Sequence, residues 1–376
     1  MSIARSRGVQ AGAILVALAA ALPSFAQERT EPPLLVPDRV KAETLVVLAH
    51  PDDEGVVAPL LAREALAARR RVIAIYLTAG EAGVDRVSSI RGPAFGAMRL
   101  TELHWTLDRL GVAMFHVLFR ADLPPAADPA AVVAAWERDR TVRELTRYLR
   151  LLRPDRVLTW LPGPASAHGA HIAAGSLALL AVRAAASSEE SPEQLVNEGL
   201  RVWRVPETAV FFQADKVSYP AYPVDEGAFE AAGLRVEVER VDAYDAALGR
   251  RYADVAREAM REQRSVAAAA GLDRGGSFDA PLKLVHPFEE KPSPAAEPPA
   301  ALRISFAGST AQRFFEATTT EIGAPGLLRA FDPEVAVDAA GGTMTVTCAA
   351  AGGARVDGTL SLSVPDGWIS APASRP

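Results

Sequence analysis

Three apolar runs separated by helical patterns constrain the fold of this 376-residue chain more than any other feature. They are TLVVLA at 44–49, RVIAIYLT at 71–78 and DRVLTWLP at 155–162. Strands without polar alternation are typical of parallel sheets that are covered on both faces. Amphipathic segments lie between and after them, at 56–69, 99–112, 139–155 and 173–186. The alternation predicts an α/β fold with a mostly parallel sheet and helices on both faces.

The composition changes near the carboxyl end of the chain, which suggests a domain boundary. We predict a main domain at 40–286, followed by a Pro- and Glu-rich linker at 287–300. Thr-, Ser- and Val-rich alternation at 343–350 then predicts a partial β-sandwich-like module within 301–376. Because the predicted strands are too few to close two sheets, we expect this sequence to be a truncated form of a longer protein.

The first 26 residues have the pattern of a secretory signal peptide. Arg5 and Arg7 precede an apolar run at 11–25, which is shorter than the roughly 20 residues that a membrane-spanning helix needs. Small residues before the expected cleavage point predict cleavage after Ala26, with an uncleaved anchor as the alternative. Either outcome predicts an exported protein, periplasmic or extracellular.

Charge and cysteine content exclude several kinds of site. The formal net charge is −6, and no basic cluster suggests a nucleic-acid partner. Cys348 is the single cysteine, so an intrachain disulfide and a cysteine-based metal site are both excluded. A metal ion in this protein must therefore be held by His, Asp and Glu. The oligomeric state is not determined by these features.

Two of the apolar runs end in groups that bind metals. The first ends in AHPDDE, which places His50 and Asp53 three residues apart. The third is followed by His168 and His171, again three apart, where the next helix begins. Ligands bind at the carboxyl ends of parallel strands. Two histidines and an aspartate, with a fourth position left for water, are the ligand set of a catalytic zinc.

Other residues of these segments suit the remaining steps of amide hydrolysis. Asp52 is adjacent to a ligand but points elsewhere, so it is available as a general base. His168 can stabilise an oxyanion or protonate the leaving nitrogen. Simpler explanations of these residues stay open. The acids could be helix N-terminal charges that interact favourably with the helix dipole, and the two histidines could lie on a half-exposed helix face.

The motifs AHPDDE, LTAGEAG, RLTEL, LRPDRVLTW and His-x-x-His follow one another between residues 44 and 186. In this order they resemble the LmbE/PIG-L family of zinc-dependent N-acetylglucosaminyl de-N-acetylases. The resemblance implies a Rossmann-like sheet and removal of acetyl from amino sugars. It implies roles for seven residues: zinc ligands His50, Asp53 and His171, general base Asp52, intermediate-stabilising His168, and sugar contacts Glu81 and Arg99. Glu81 could equally be a plain loop acid, and Arg99 could pair with Glu102 on a helix surface.

The sequence departs from the family pattern at two positions. Where relatives commonly have His-x-Asp-His, this chain has Ala170, and some relatives have a tyrosine where Ser166 stands. Loss of an acid that orients a metal ligand typically costs about 10–100-fold in metal affinity or activity.

These features together predict an exported zinc hydrolase that removes the acetyl group from an N-acetylglucosamine-type sugar or glycoconjugate. Iron(II) can replace zinc at a site with nitrogen and oxygen ligands. The alternatives are a carbohydrate-binding protein with little or no turnover on the same scaffold, and a metal hydrolase of a different amide or ester.

Overall fold

A computed structural model gives the architecture of the chain. It describes residues 40–163, 166, 168–212, 226–241, 243–267, 278–279, 281–290, 302–306, 310–330, 346–350, 360–361 and 374–375. The predicted signal peptide, most of the predicted linker and most of the carboxyl-terminal module lie outside these residues. None of the helices in the described part is both long enough and apolar enough to cross a membrane.

Seven strands form the central sheet. In chain order they are β1 (Thr44–Leu48), β2 (Val72–Tyr76), β3 (Met114–Val117), β4 (Arg156–Trp160), β5 (Glu207–Phe211), β6 (Leu234–Glu239) and β9 (Leu282–Glu290). The strands β7 (Tyr244–Asp245) and β8 (Arg250–Arg251) form a separate short pair between β6 and β9 in the chain. Their spatial order is β3-β2-β1-β4-β5-β9-β6. The first five pair in parallel, while β9 pairs antiparallel with both β5 and β6. The predicted mostly parallel α/β fold is therefore confirmed, with two further strands added at one edge.

Helices alternate with these strands. They are α1 (Ala58–Ala62, continued by a π turn at Arg63–Ala67), α2 (Gly92–Leu110), α3 (Pro129–Ala135), α4 (Arg138–Leu152), α5 (Gly169–Ala185), α6 (Pro192–Val196), α7 (Glu226–Ala231), α8 (Tyr252–Met260), α9 (Arg264–Ala267) and α10 (Thr310–Glu321). All five residues of β1, of β2 and of β4 are buried. Because successive side chains point to opposite faces of a sheet, five consecutive buried residues require cover on both faces.

Several elements lie at the predicted domain boundaries, which stay predictions. β9 runs through position 286, so the predicted main domain and the predicted linker meet inside one strand of the central sheet. Phe315 on α10 and Leu327 on the following 3-10 turn (Pro325–Ala330) pack with Val285 in a second buried apolar cluster. Residues 310–330, which lie in the range predicted for the carboxyl-terminal module, therefore contain a helix and a 3-10 turn that pack against the sheet. Two antiparallel pairs lie in the range predicted for the module: β10 (Leu302–Phe306) with β11 (Val346–Ala350), and β12 (Leu360–Ser361) with β13 (Ser374–Arg375). The module itself stays a prediction.

One buried arginine joins two helices and supports a stability prediction. Arg150 on α4 is 1% exposed. Its guanidinium donates to the backbone carbonyl oxygens of four residues at and after the end of α5: Ala184 at 3.1 Å, Ser187 at 2.7 Å, Glu190 at 2.7 Å and Ser191 at 3.0 Å. The last carbonyls of a helix lack partners within that helix, so this buried side chain ties α4 to the end of α5 and to the segment that follows it.

Replacing Arg150 with methionine is expected to lower the free energy of unfolding by about 3 kcal/mol or more, since a hydrogen bond to a charged group contributes about 1.5–3 kcal/mol and several are lost together. Chemical denaturation measures the change. Arg147 on the same helix is the matched control, because it is exposed and pairs with Glu198 at 2.7 Å. Arg147→Met should cost no more than about 1 kcal/mol. Equal losses in the two variants would contradict the role given to Arg150.

Candidate metal centre

The predicted ligands meet at the carboxyl ends of β1 and β4, which are neighbours in the sheet. β2 and β3 extend the sheet on one side of this pair and β5 on the other, so this is the switch point at which open α/β sheets bind ligands. Asp53 Oδ1 lies 3.0 Å from His171 Nε2 and 3.5 Å from His50 Nδ1. All three side chains are buried. The structure thus brings His50, Asp53 and His171 together, as the sequence predicted.

The other polar atom of each of these three groups is already engaged. His50 Nε2 lies 3.2 Å from Asp122 Oδ1, and His171 Nδ1 lies 2.8 Å from the Ser166 carbonyl oxygen. Asp53 Oδ2 accepts from the backbone N–H groups of Ala49 and His50, at 2.8 and 3.0 Å, and from the indole of a tryptophan at 2.9 Å. His50 Nδ1, Asp53 Oδ1 and His171 Nε2 are therefore the atoms that face one another. Two imidazole nitrogens and a carboxylate oxygen fit zinc or iron(II).

The charges around Asp53 suit a ligand role. Burial opposes ionisation of this carboxyl, but the His171 and His50 imidazoles hold its pKa well below the usual range. Burial also lowers the pKa of His50, yet its hydrogen bonds with Asp122 and Asp53 raise that pKa to about 10. Asp53 is consequently an anion that can bind a cation at neutral pH.

His168 lies close enough to His50 and His171 to form with them a second possible set of three metal ligands. Ligand atoms of His50, His168 and His171 lie within 4.8 Å of one another, and the His168 ring centroid is 3.9 Å from that of His171. Burial, reinforced by the His171 and His50 imidazoles, lowers the pKa of His168 to about 2. His168 is therefore a neutral imidazole, and a bound cation would favour that form further. A neutral imidazole can donate an N–H hydrogen bond.

Substituting His168 with alanine distinguishes the two donor sets. If His50, Asp53 and His171 are the ligands, we expect His168→Ala to keep about one equivalent of metal and to lose roughly 10²–10³-fold in kcat, as is typical when one oxyanion donor is removed. Metal content by elemental analysis and steady-state kinetics measure the two effects. Loss of the metal would instead assign His168 as a ligand.

Asp52 stands in a strained turn beside the centre. Its backbone φ is 101°, in the left-handed region that residues other than glycine rarely adopt. Its Oδ1 accepts a hydrogen bond from Arg99 Nη2 at 2.8 Å. Burial raises the pKa of Asp52, and the charge of Arg99 acts in the opposite direction. Asp52 therefore has a charged partner of its own, Arg99, whereas Asp53 Oδ1 lies next to the two histidines.

Arg99 is a fixed part of this turn. Its guanidinium also donates to the carbonyl oxygens of Gly80, at 3.0 Å, and Pro51, and the residue is 5% exposed. Gly80 has φ +72°, and a Cβ there would collide with the Arg99 guanidinium, so glycine is required at this position. The alternative, in which Arg99 pairs with Glu102 on the helix surface, is wrong because both residues are buried. The Glu102 carboxylate instead accepts hydrogen bonds from Ser265, from its backbone N–H at 2.9 Å and from its hydroxyl. A sugar contact by Arg99 stays a prediction.

Glu81 lies on the same rim and supports a residue that the sequence reasoning missed. Glu81 Oε1 accepts from the backbone N–H of Asp122 at 3.1 Å, and Asp122 Oδ2 accepts from the N–H of Ala82 at 2.8 Å. These bonds join the loops that follow β2 and β3. Asp122 lies five residues after β3, and a predicted strand there would have pointed to it. However, β3 is a four-residue edge strand without an apolar run, so the sequence did not predict that strand. Sugar binding by Glu81 stays a prediction.

Trp160 is the second residue that sequence reasoning missed. It is the last residue of β4 and is 1% exposed. Its Nε1 donates to Asp53 Oδ2 at 2.9 Å. Its ring stacks on that of His171, with centroids 4.1 Å apart and planes at 5°. In the sequence it resembles any other apolar residue of a buried strand, so no local signal identified it.

The last acid of AHPDDE anchors the motif. Glu54 is fully buried and accepts from the Tyr76 hydroxyl at 2.9 Å, from Gln263 Nε2 at 2.9 Å and from the Asp52 N–H at 3.0 Å. Burial, together with the charge of Asp52, raises the pKa of Glu54 to about 7. Glu54 therefore ties the turn to β2 and to the segment before α9.

A second cluster of acids with a histidine lies at the other end of the strands. Ligand atoms of Glu207, Glu237 and His286 lie within 4.8 Å of one another. However, Arg156 pairs with Glu207 at 2.8 Å and with Glu237 at 3.2 Å, while Arg235 Nη2 lies 2.8 Å from His286 Nδ1. With two guanidinium groups inside it, this cluster is an ion-pair network, and its donors do not suit a metal ion.

Fold and site together define the class of this protein: a parallel α/β domain with a candidate His-Asp-His metal centre at the switch point of its sheet. Comparison with known proteins shows which family one segment of the chain is similar to. Residues 45–182 match the family model described as PIG-L: GlcNAc-PI de-N-acetylase. This segment is therefore similar to the family that the motifs of the sequence suggested.

The relatives that it resembles are deacetylases of an inositol-linked amino sugar. The chain is 34% identical over 167 residues to the 1D-myo-inositol 2-acetamido-2-deoxy-alpha-D-glucopyranoside deacetylase of Nakamurella multipartita, covering 39% of this chain and 57% of that protein. It is 30% identical over 159 residues to the enzyme of the same name from Rhodococcus erythropolis, covering 38% and 54%. The chain thus spans a little over half the length of the curated relatives it matches.

Two solved structures are also similar. One is N,N'-diacetylchitobiose deacetylase from Pyrococcus horikoshii, with a TM-score of 0.43 and 21% identity, covering 60% of this chain and 70% of that one. The other is the conserved protein TT1542 from Thermus thermophilus, with a TM-score of 0.46 and 22% identity, covering 68% and 100%.

Proposed function

We propose that this chain is a metal-dependent hydrolase that removes the acetyl group from the nitrogen of an N-acetylglucosamine-type sugar. The observation that carries the proposal is the convergence of His50 Nδ1, Asp53 Oδ1 and His171 Nε2 inside the segment that matches the de-N-acetylase family. The inositol-linked amino sugar named for the two curated relatives makes a GlcNAc-inositol type of compound the first substrate to test.

The three facing atoms would hold the ion, which we propose to be zinc, with iron(II) as the other candidate. A zinc ion with an open coordination position polarises a carbonyl oxygen and lowers the pKa of water to about 7. The protein's own groups must then handle the proton and the negative charge of the reaction.

Asp52 is the group we assign to the proton. It stands next to Asp53 and is 22% exposed at its side chain, so a water molecule or substrate can reach it. In the proposed reaction the carboxylate takes a proton from water as the oxygen attacks the acetyl carbon. When the C–N bond breaks, the same proton passes to the departing nitrogen, and acetate and an amine are released.

Arg99 and His168 have two further roles in the proposed reaction. Arg99 holds Asp52 through the 2.8 Å bond and thereby fixes the position of the base. We assign to His168 the donation of an N–H hydrogen bond to the carbonyl oxygen as negative charge develops there. Of the two roles that the sequence allowed for His168, this is the one that suits a neutral imidazole.

The amino-terminal pattern supports the further proposal that the protein acts outside the cytoplasm, on an envelope or extracellular glycoconjugate. That pattern lies at residues 1–26, outside the described part of the chain. Mass spectrometry of the N-terminal peptide of the exported protein, with Gln27 or its pyroglutamate form expected as the first residue, tests it.

An acetate-release assay tests the activity. Full-length protein is loaded with zinc, and acetate is measured with GlcNAc-inositol, N,N'-diacetylchitobiose and N-acetylglycine as substrates. We expect release from the two sugars and none from N-acetylglycine. Bound zinc at one equivalent without acetate release would favour a carbohydrate-binding protein on the same scaffold, and release from N-acetylglycine would indicate a hydrolase of other amides.

A further inference from the structure

We propose that Trp160 is a positioning residue of the metal centre, which orients two of its ligands at once. This inference rests on the metal centre proposed above. Trp160 contacts Asp53 through its indole N–H and His171 through its ring. Asp53 follows β1 and His171 lies on α5, so a residue of β4 connects ligands from two other parts of the fold.

The indole hydrogen bond determines which oxygen of Asp53 faces the centre. Asp53 Oδ2 accepts three N–H groups, but those of Ala49 and His50 belong to the same turn as Asp53 itself. Of the three, the bond from Trp160, 107 positions away in the chain, is the one that ties the carboxylate to a different strand. With Oδ2 held in this way, Oδ1 is directed toward His171 and His50.

The indole face determines the plane of the His171 ring. The hydrogen bond between His171 Nδ1 and the Ser166 carbonyl fixes one edge of the imidazole and leaves Nε2 for the ion. The stacking at 4.1 Å and 5° prevents rotation about the remaining axis. Phe211 on β5 packs against the indole in turn, with ring centroids 4.9 Å apart. Ala170, beside the ligand, offers no polar side chain that could orient it.

Zinc affinity tests the proposal, with Trp160→Phe as the variant. Phenylalanine keeps an aromatic ring next to His171 but cannot donate to Asp53. Trp203→Phe is the matched control, because Trp203 Nε1 also donates a hydrogen bond, to the Pro154 carbonyl oxygen at 2.9 Å, before β4 begins. Affinity is measured on full-length proteins by competition with a chromophoric chelator, and folding of the metal-free proteins by circular dichroism.

We expect Trp160→Phe to weaken zinc binding by about 10–100-fold, the usual effect of losing a group that orients a ligand. Trp203→Phe should bind zinc as wild type does. Equal affinities of wild type and Trp160→Phe, with zinc lost in His171→Ala, would overturn the role of Trp160 and leave the metal centre standing. Equal weakening in both tryptophan variants would also overturn it. Absence of zinc binding by the wild type would remove the metal centre and this inference together.

A measurement that leaves Trp160 itself in place covers the case in which Trp160→Phe does not fold. The chain contains five tryptophans, so selective ¹⁵N labelling gives at most five indole N–H resonances. Variants at the other four positions assign the Trp160 resonance by elimination. We expect zinc to shift this resonance more than the other indole signals, because its acceptor is a ligand. An unchanged Trp160 resonance in zinc-bound protein would contradict the proposal.

Discussion

Replacing Asp52 with asparagine is expected to reduce kcat by about 10²–10⁴-fold, the usual contribution of a general base. Asparagine has nearly the same shape and its oxygen can still accept the hydrogen bond from Arg99, but it cannot take a proton from water. Zinc content should stay near one equivalent, because Asp53, and not Asp52, faces the two ligand histidines. Acetate release and elemental analysis on the same sample measure both effects.

Asp108→Asn is the matched control for this experiment. Asp108 is an exposed residue of α2, so the same chemical change there should leave kcat unchanged. Loss of zinc from Asp52→Asn would reassign Asp52 as a ligand. Normal turnover with normal zinc would mean that another group accepts the proton.

Replacing His171 with alanine is expected to have the largest effect on metal binding. His171 supplies one of the three facing donor atoms, so its loss should weaken zinc binding by more than the roughly 10–100-fold that follows loss of an orienting partner. Activity should disappear with the metal. Dialysis followed by elemental analysis gives the stoichiometry, and chelator competition gives the affinity.

His104→Ala provides the comparison for His171→Ala. His104 is exposed on α2, and its ring packs near Phe115 of β3 rather than at the candidate centre. Zinc stoichiometry and affinity should equal those of the wild type. If His171→Ala retained zinc as tightly as this control, His171 would not be a ligand and the proposed centre would be wrong.

The resemblance in sequence and the geometry of the site support each other because they depend on different observations. The motifs place an acid and two histidines after β1 and β4, whereas the sheet order makes these two strands neighbours. Neither observation alone would bring Asp53 to 3.0 Å from His171, two residues that lie far apart in the chain.

Local patterns in the sequence were sufficient for β1, β2 and β4 and for most of α1, α2 and α4, but not for α3. A strand buried on both faces must be apolar throughout, and such runs are visible without any knowledge of the neighbours. The same reasoning located His50, Asp53 and His171, because groups at the carboxyl ends of parallel strands share one edge of the sheet.

β5 was missed although four of its five residues are buried. Other strands that were missed lack this signal for a physical reason. β3 and β6 lie at the two edges of the sheet, where side chains are partly exposed and polar residues are tolerated. β9 pairs antiparallel across a boundary that composition alone suggested at 286. Composition reports the average character of a segment and does not reveal which strand it joins.

The amino-acid sequence by itself thus determined the class of fold, the edge of the sheet that carries the site and the three side chains that meet there. Only the tertiary structure decided which groups contact these three side chains: Asp122 contacts His50, and Trp160 contacts Asp53 and His171. The contact of Arg99 with Asp52 likewise appears only in the tertiary structure. Strand-end chemistry is local and can be read from neighbouring residues. Orienting contacts join atoms from distant parts of the chain, so they exist only once the sheet has assembled in its particular order.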